Sequence, residues 1–158
     1  MNFCPLCGKK LQDKEIDGIK RKACSSNTCT FVHWDNPTPV VAAIVELDGK
    51  VIMIRNKGWP ENMFGIVSGF LERGETPDDA IVREVKEELG LNGRIESFIG
   101  YYTFPEMNQL ILTFHIAAKG EIIIGDELEE IRVVEPERIK PWTFGTGPAV
   151  KKWLDARG

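Results

Sequence analysis

Glutamates stand at positions 84, 87 and 88 of this 158-residue chain. On a helix, positions i, i+3 and i+4 share a face, so Glu84, Glu87 and Glu88 would crowd into an arc of roughly 100°. Like charges so placed weaken an isolated helix. A hard divalent cation removes that penalty, and carboxylate oxygens are the ligands such cations prefer. A second set of residues with metal chemistry lies near the N-terminus. Cys4 and Cys7, then Cys24 and Cys29 after 16 intervening residues, are all the cysteines in the chain. C-x2-C followed by C-x4-C falls within the spacing of a four-thiolate zinc site. Gly8 lets the backbone turn there so that amides can face the sulfurs. Two disulfides are the competing reading. The chain shows neither a leader-like stretch nor an apolar run of membrane length, so a cytoplasmic location is expected. Disulfides are rare in that compartment, which favours zinc. A closed four-thiolate site keeps no open position for catalysis, so such a zinc is structural, and His33 is left as a spare donor.

The carboxylates need a helix, and their neighbours supply one. Thr76 suits the N-cap, and Asp79 three residues on approximates a capping box. Pro77 suits the first helical position, and Asp78 and Asp79 complement the positive end of the dipole. Gly90 is a natural residue just past the C-terminus. Ile81, Val82, Val85 and Leu89 form a separate apolar arc that can bury against a sheet. Ala80 is the small side chain on the carboxylate face, expected to leave room there for ions and phosphates. A glycine-rich loop, residues 69–75, precedes the helix.

Gly69, five residues, Glu75, seven residues, then Arg83-Glu84-Val85-Lys86-Glu87-Glu88-Leu89-Gly90-Leu91 fill every fixed position of the Nudix box. On these residues the chain resembles the Nudix hydrolase family. The resemblance implies that Glu84, Glu87 and Glu88 bind Mg²⁺ or Mn²⁺, with backbone carbonyls near Ser68 and Gly69 as further ligands. It implies that Arg83 holds Glu75 and braces the loop against the helix, a bidentate task that suits a guanidinium. The implied reaction is hydrolysis of a nucleoside diphosphate linked to another moiety. Glu88, Glu87 and Glu75 are the candidates for a general base within the box. Beyond it, Asp126, Glu127, Glu129 and Glu130 form an acidic cluster. By likeness to relatives, Glu127 is the first choice to complete the metal site or act as base, and Glu130 the second. The plain alternative is a hydrophilic turn.

The remainder reads as an α/β core. Strand-like runs at 40–47 and 50–55 flank Asp48-Gly49, a strong hairpin signal. Further strand-like runs cover 65–70, 94–104, 110–118, 122–124 and 131–134, and 148–156 resembles a closing helix. Along 110–118, Leu110, Leu112, Phe114 and Ile116 alternate with Ile111, Thr113, His115 and Ala117, so His115 is expected to be a structural or surface histidine. Order and lengths are similar to the Nudix α/β/α sandwich with a mixed sheet, preceded by a small zinc ribbon. The expected division is 1–36 and 37–158, joined near Asn36-Pro37-Thr38-Pro39, where the prolines favour a stiff, extended link. A ribbon of about 35 residues needs a staple to fold, which zinc supplies.

With the ribbon in front, the chain is similar to the branch that includes NADH pyrophosphatases. That branch carries S-Q-P-W-P-F-P shortly after the box. Here the stretch is Ile99-Gly100-Tyr101-Tyr102-Thr103-Phe104-Pro105, which shares only the final Phe-Pro. ADP-ribose or a related dinucleotide is therefore the leading expectation for the substrate. NADH or an NAD-capped RNA end is the alternative, and a non-catalytic nucleotide-binding regulatory module is a third. The intact glutamates count against the third. Tyr101, Tyr102 and Phe104 are candidates to stack on a base, with strand packing as the competing role. Trp59, Met63 and Phe64 are a second possible wall, or a hydrophobic lid on the core. Net charge is −4, from 20 basic and 24 acidic residues. Residues 1–36 hold six Lys/Arg against four Asp/Glu, and four thiolates with one Zn²⁺ would cancel that excess. Charge thus makes no strong case for nucleic acid as a partner. The expected partner is a small nucleotide, and the ribbon is expected to stiffen the fold or support a homodimer.

Overall fold

Two Asp-Gly pairs set the two tight hairpins of the chain. At Asp17-Gly18 the φ angles are 53° and 75°, and at Asp48-Gly49 they are 51° and 78°. Both residues of each pair are left-handed, which matches the twist of the strands they join and which few other dipeptides tolerate. The computed structural model describes every residue from Met1 to Gly158 and divides into two units, Met1–Asn36 and Pro37–Gly158.

The first unit is a three-stranded antiparallel sheet in the order β1 (Leu11–Ile16), β2 (Ile19–Cys24), β3 (Val32–His33). Its core is small. Cys4, Leu11 and Cys24 are buried together, with Cys29 and Phe31 packed on them. The cysteines therefore stand where a larger domain would place leucines.

The second unit runs β4 (Thr38–Leu47), β5 (Lys50–Asn56), β6 (Val67–Phe70), α1 (Pro77–Leu89), β7 (Asn92–Phe104), β8 (Gln109–Lys119), β9 (Leu128–Val134) and α2 (Gly147–Arg157). Its six-stranded sheet has the order β7-β8-β4-β5-β9, with β6 paired to β4. β4 and β8 are parallel and every other pair is antiparallel, so the sheet is mixed. β4 and β5 pair only beside their turn, at Glu46–Val51 and Leu47–Lys50. They then part, and β6 takes the vacated edge of β4 from Val40 to Ala43. This parting brings the start of the glycine-rich loop into the middle of the sheet.

Helices cover both faces. Alternate side chains of β4 point opposite ways. Val41, Ala43 and Val45 pack in one cluster with Ile81, Val85 and Leu89 of α1. Val40, Ala42 and Ile44 pack in the other with Ala149, Val150 and Trp153 of α2. The result is the expected α/β/α sandwich. Each large aliphatic side chain so buried contributes about 1.5–3 kcal/mol. His115 takes the structural of its two expected roles. Its Nε2 lies 2.9 Å from Glu46 Oε2, which also accepts from Arg157 Nη1 of α2 at 3.0 Å. Its ring sits 5.2 Å from that of Trp153. No helix is long and apolar enough to cross a membrane.

Three expectations need correction. Residues 122–124 are not a strand, because the Ile123 amide donates to the Leu89 carbonyl of α1 at 2.9 Å rather than to a sheet edge. The strand expected over 65–70 shortens to Val67–Phe70, with Gly65 making only an isolated bridge to Ile54. Ala80 does not open space beside the carboxylates. It is fully buried in the α1 cluster, where its small side chain faces the sheet.

Candidate active site

The helix that carries the carboxylates is fixed at both ends by its own sequence. Thr76 Oγ1 accepts from the Asp79 amide at 3.2 Å and donates to Asp79 Oδ2 at 2.7 Å, so the approximate capping box forms. Pro77 opens the first turn, and Gly90 closes the last at φ 70° with its amide on Lys86 O. Between these caps, Ile81, Val85 and Leu89 face the sheet while Glu84, Glu87 and Glu88 line one cavity of about 1110 Å³.

Arg83 binds the loop to the helix. Its Nε and Nη2 donate to the two oxygens of Glu75 at 2.8 and 2.9 Å, a bidentate pair. Nη2 also donates to the Phe70 carbonyl at 3.1 Å. Nη1 donates to Glu84 Oε1 at 2.7 Å and to Glu87 Oε2 at 3.1 Å. Glu75 accepts in addition from the Glu72 amide at 2.9 Å. Arg83 and that amide hold the Glu75 carboxyl down at about 2. With both oxygens engaged, Glu75 is held as an ionised brace between loop and helix.

The other carboxylates are in the opposite condition. Glu88 is only 4 % exposed, and its Oε2 is buried with no hydrogen-bond partner. Burial pushes its pKa up to about 8, and the charges of Glu84, Glu127 and Glu87 add to the effect. Burial also raises Glu84, against the opposing pull of Arg83. Gly69 on β6 lies against this group. A Cβ built there would stand 2.1 Å from the Glu84 carboxyl carbon, so only glycine admits the carboxylate at that place. A buried, unpartnered carboxylate oxygen among like charges is costly unless something positive meets it. The donor set is all oxygen, which fits a hard divalent cation.

Glu127, in the loop between β8 and β9, lines the same cavity and raises the pKa of both Glu84 and Glu88. Glu130 is elsewhere engaged. Arg55 donates to its Oε2 at 3.2 Å and Arg132 to its Oε1 at 3.4 Å, and these cations lower its pKa. The three aromatic candidates of β7 separate. Phe104 lines the cavity, Tyr102 packs against the α2 cluster, and Tyr101 is 74 % exposed and outside the lining. Strand alternation turns Tyr101 to the face opposite Tyr102 and Phe104, so of the three stacking candidates only Phe104 borders the cavity. Trp59, Met63 and Phe64 do line the cavity, and the Trp59 ring lies over Gly65. Trp142 and Phe144, just ahead of α2, form a wall that was not anticipated. Phe144 lies 6.1 Å from Phe104 between ring centroids. The aromatic-glycine run from 142 to 147 was the available signal. Asn56, at the end of β5, also lines the cavity, and its Oδ1 is buried without a partner.

In the first unit the four cysteines converge, with all sulfur atoms within 4.8 Å of one another. Cys4 and Cys29 are 3.7 Å apart, Cys7 and Cys24 are 3.4 Å apart, and all four are free thiols. A tetrahedral zinc with bonds of about 2.3 Å sets its sulfurs about 3.8 Å apart. The Ser26 amide points at Cys24 Sγ at 3.4 Å, and Gly8, at φ 72°, turns its amide onto Cys4 O at 2.9 Å. His33 is not among the converging donors.

A family profile described as NUDIX domain matches residues 36–153. The chain is 29 % identical over 126 residues to a Methanocaldococcus jannaschii protein named ADP-ribose pyrophosphatase, with 75 % of this chain and 74 % of that one covered. It is 26 % identical to the NAD-capped RNA hydrolase NudC of Pseudomonas aeruginosa, covering 88 % of this chain and 49 % of that one. It is 29 % identical to the human NAD-capped RNA hydrolase NUDT12, covering 87 % and 31 %. The chain thus spans about half the length, or less, of these NAD-capped RNA hydrolases. A solved structure, the NUDIX hydrolase from Nitrosomonas europaea, superposes with a TM-score of 0.84 at 25 % identity, covering 99 % of this chain and 92 % of that one.

Proposed function

The chain belongs to the NUDIX domain family, and from that membership we propose that it hydrolyses the diphosphate linkage of a nucleoside diphosphate derivative, with ADP-ribose or a related dinucleotide as substrate. One observation carries the reading. Glu84, Glu87, Glu88 and Glu127 open on the same cavity as Trp59, Phe104 and Phe144, so acidic and aromatic linings adjoin. The first suits a divalent cation and the second a base, whose π-face stacks on such rings. The relative named ADP-ribose pyrophosphatase supports this choice of substrate.

Glu84, Glu87 and Glu88 would hold Mg²⁺ or Mn²⁺, with backbone carbonyl oxygen from the Gly69 region and with Glu127 as a further ligand or as base. Bound there, the ion would neutralise diphosphate charge and acidify water. The protein's own part is positioning and electrostatics. Arg83 and Glu75 keep loop and helix together. Glu87, Glu88 and Glu127 remain as acceptors for the proton of the attacking water, and each needs to be ionised to serve. In the first unit, Cys4, Cys7, Cys24 and Cys29 would hold a structural Zn²⁺ in residues 1–36, with the hydrolase in residues 37–158. Cysteines that serve zinc rather than disulfides accord with a cytoplasmic location, where disulfides are rare.

A second reading, cleavage at an NAD-derived cap or dinucleotide, has one specific support. The likeness to NudC covers 88 % of this chain, more than residues 37–158 alone can supply, so it extends into the cysteine-bearing unit. A panel of ADP-ribose, NADH, diadenosine polyphosphates and an NAD-capped oligoribonucleotide, each with Mg²⁺, separates the readings by kcat/KM. Preferential cleavage of ADP-ribose is expected. Preference for the cap or for NADH selects the second reading, and cleavage of none leaves a binding module.

A further inference from the structure

The last carbonyls of a helix lack intrahelical partners. In α1 two of them are met from far along the chain. Leu89 O accepts from the Ile123 amide at 2.9 Å, and Glu88 O accepts from the Gly125 amide at 2.8 Å. Contact is close on both sides of this seam. A Cβ at Gly125 would stand 2.4 Å from Glu87 O and 3.2 Å from Glu88 Cα, all backbone atoms. A Cβ at Gly90 would stand 2.8 Å from Ile123 Cβ. Two residues beyond Gly125 comes Glu127. Its carbonyl accepts from the Lys57 amide at 3.0 Å, and the Leu128 amide returns to Gly125 O at 3.1 Å. Glu127 is therefore held between an anchor on α1 and an anchor beyond β5.

We propose that Gly125 is a positioning residue: having no side chain, it lets residues 123–125 strap onto the end of α1 and so delivers Glu127 to the α1 carboxylates. The inference rests on the reading of those carboxylates as an ion-binding set. A methyl group at 125 meets backbone, which cannot rotate aside as a side chain can, so the strap must lift. The same carbonyls belong to the residues that carry two of the carboxylates, so lifting separates Glu127 from Glu87 and Glu88.

Mn²⁺ binding, measured by electron paramagnetic resonance on the full chain, tests this beside steady-state kinetics. Gly125→Ala and Glu127→Gln are each expected to weaken Mn²⁺ binding. Each is also expected to lower kcat about 10- to 100-fold, the scale of a misplacement near 1 Å, with KM little changed. The double variant should be no worse than the weaker single one, because both changes remove the same placement. Val150→Ala, in the α2 cluster, should lower the melting temperature and leave Mn²⁺ affinity unchanged. If Gly125→Ala does not fold, Ile123→Pro, which deletes one strap donor, takes its place with the same expectations. Wild-type Mn²⁺ affinity in the strap variant, or additive losses in the double variant, overturns the proposal. Wild-type behaviour of Glu127→Gln overturns it as well, whereas absence of Mn²⁺ binding by the unmodified chain overturns instead the reading on which it rests.

Discussion

Glu88 is the residue on which charge, burial and chemistry meet. Nearly buried and unpartnered at Oε2, it keeps its proton in the folded protein up to about pH 8, whereas an unfolded glutamate loses it near 4.5. The folded state thus binds the extra proton between those values. Stability from this group is complete below the lower value and falls as pH rises through the upper one. Thermal melts in a chelator should therefore show a lower melting temperature at pH 8.5 than at pH 5.5, and Glu88→Gln should reduce that difference. An equal difference in the variant would mean that Glu88 is not the group responsible. In kinetics, Glu88→Gln and Glu87→Gln should each cut turnover by about 100-fold or more, as weakening the hold on an ion that stabilises developing charge does. Circular dichroism should stay that of the wild type. Loss of helix signal would show the two carboxylates to be structural instead.

At the scale of the element, α1 is held by caps that are local in sequence. Replacing Thr76 by Ala removes the oxygen that receives the Asp79 amide. That should cost about 1 kcal/mol, read as a melting temperature lower by a few degrees, with kcat nearly unchanged. A large loss of activity at full stability would mean the cap acts on the site directly. The same locality explains why α1 was legible beforehand. Cap, dipole charges, apolar arc and closing glycine all lie within 76–90. What was not legible depends on distant partners. Residues 122–124 look like a strand by composition, but the Ile123 amide serves a helix carbonyl more than thirty positions away. Ala80 sits on the carboxylate side by simple counting, yet the approach of α1 to the sheet buries it. The wall at Trp142 and Phe144 depends on where a loop crosses, which no period in the chain records. Tyr101 was legible in principle, since strand alternation alone separates it from Tyr102 and Phe104.

At the scale of the whole molecule, two units are stabilised by different means. The second has two apolar clusters, one on each side of its sheet. The first has a core built largely of the thiols that would hold zinc. A strong chelator, or Cys7→Ser, should therefore melt the first unit at a lower temperature than the second, seen as an early transition in calorimetry. Zinc measured by elemental analysis should be lost with it. In Cys7→Ser supplied with Mg²⁺ and no chelator, hydrolysis should persist above that transition. A zinc-free preparation that melts like the untreated protein would contradict the staple.

The central strand β4 buries apolar side chains on both faces, Val41, Ala43 and Val45 on one and Val40, Ala42 and Ile44 on the other. Hydrophobicity therefore cannot distinguish its correct alignment from a slip of one residue, since either exposes grease to grease. Its alignment with β5 is set by the Asp48-Gly49 bend, which meters how the chain doubles back. One glycine inserted after Gly49 should thus yield not an unfolded chain but a heterogeneous one, with doubled amide peaks for β4 in nuclear magnetic resonance spectra. A single sharp set of peaks would place that metering elsewhere.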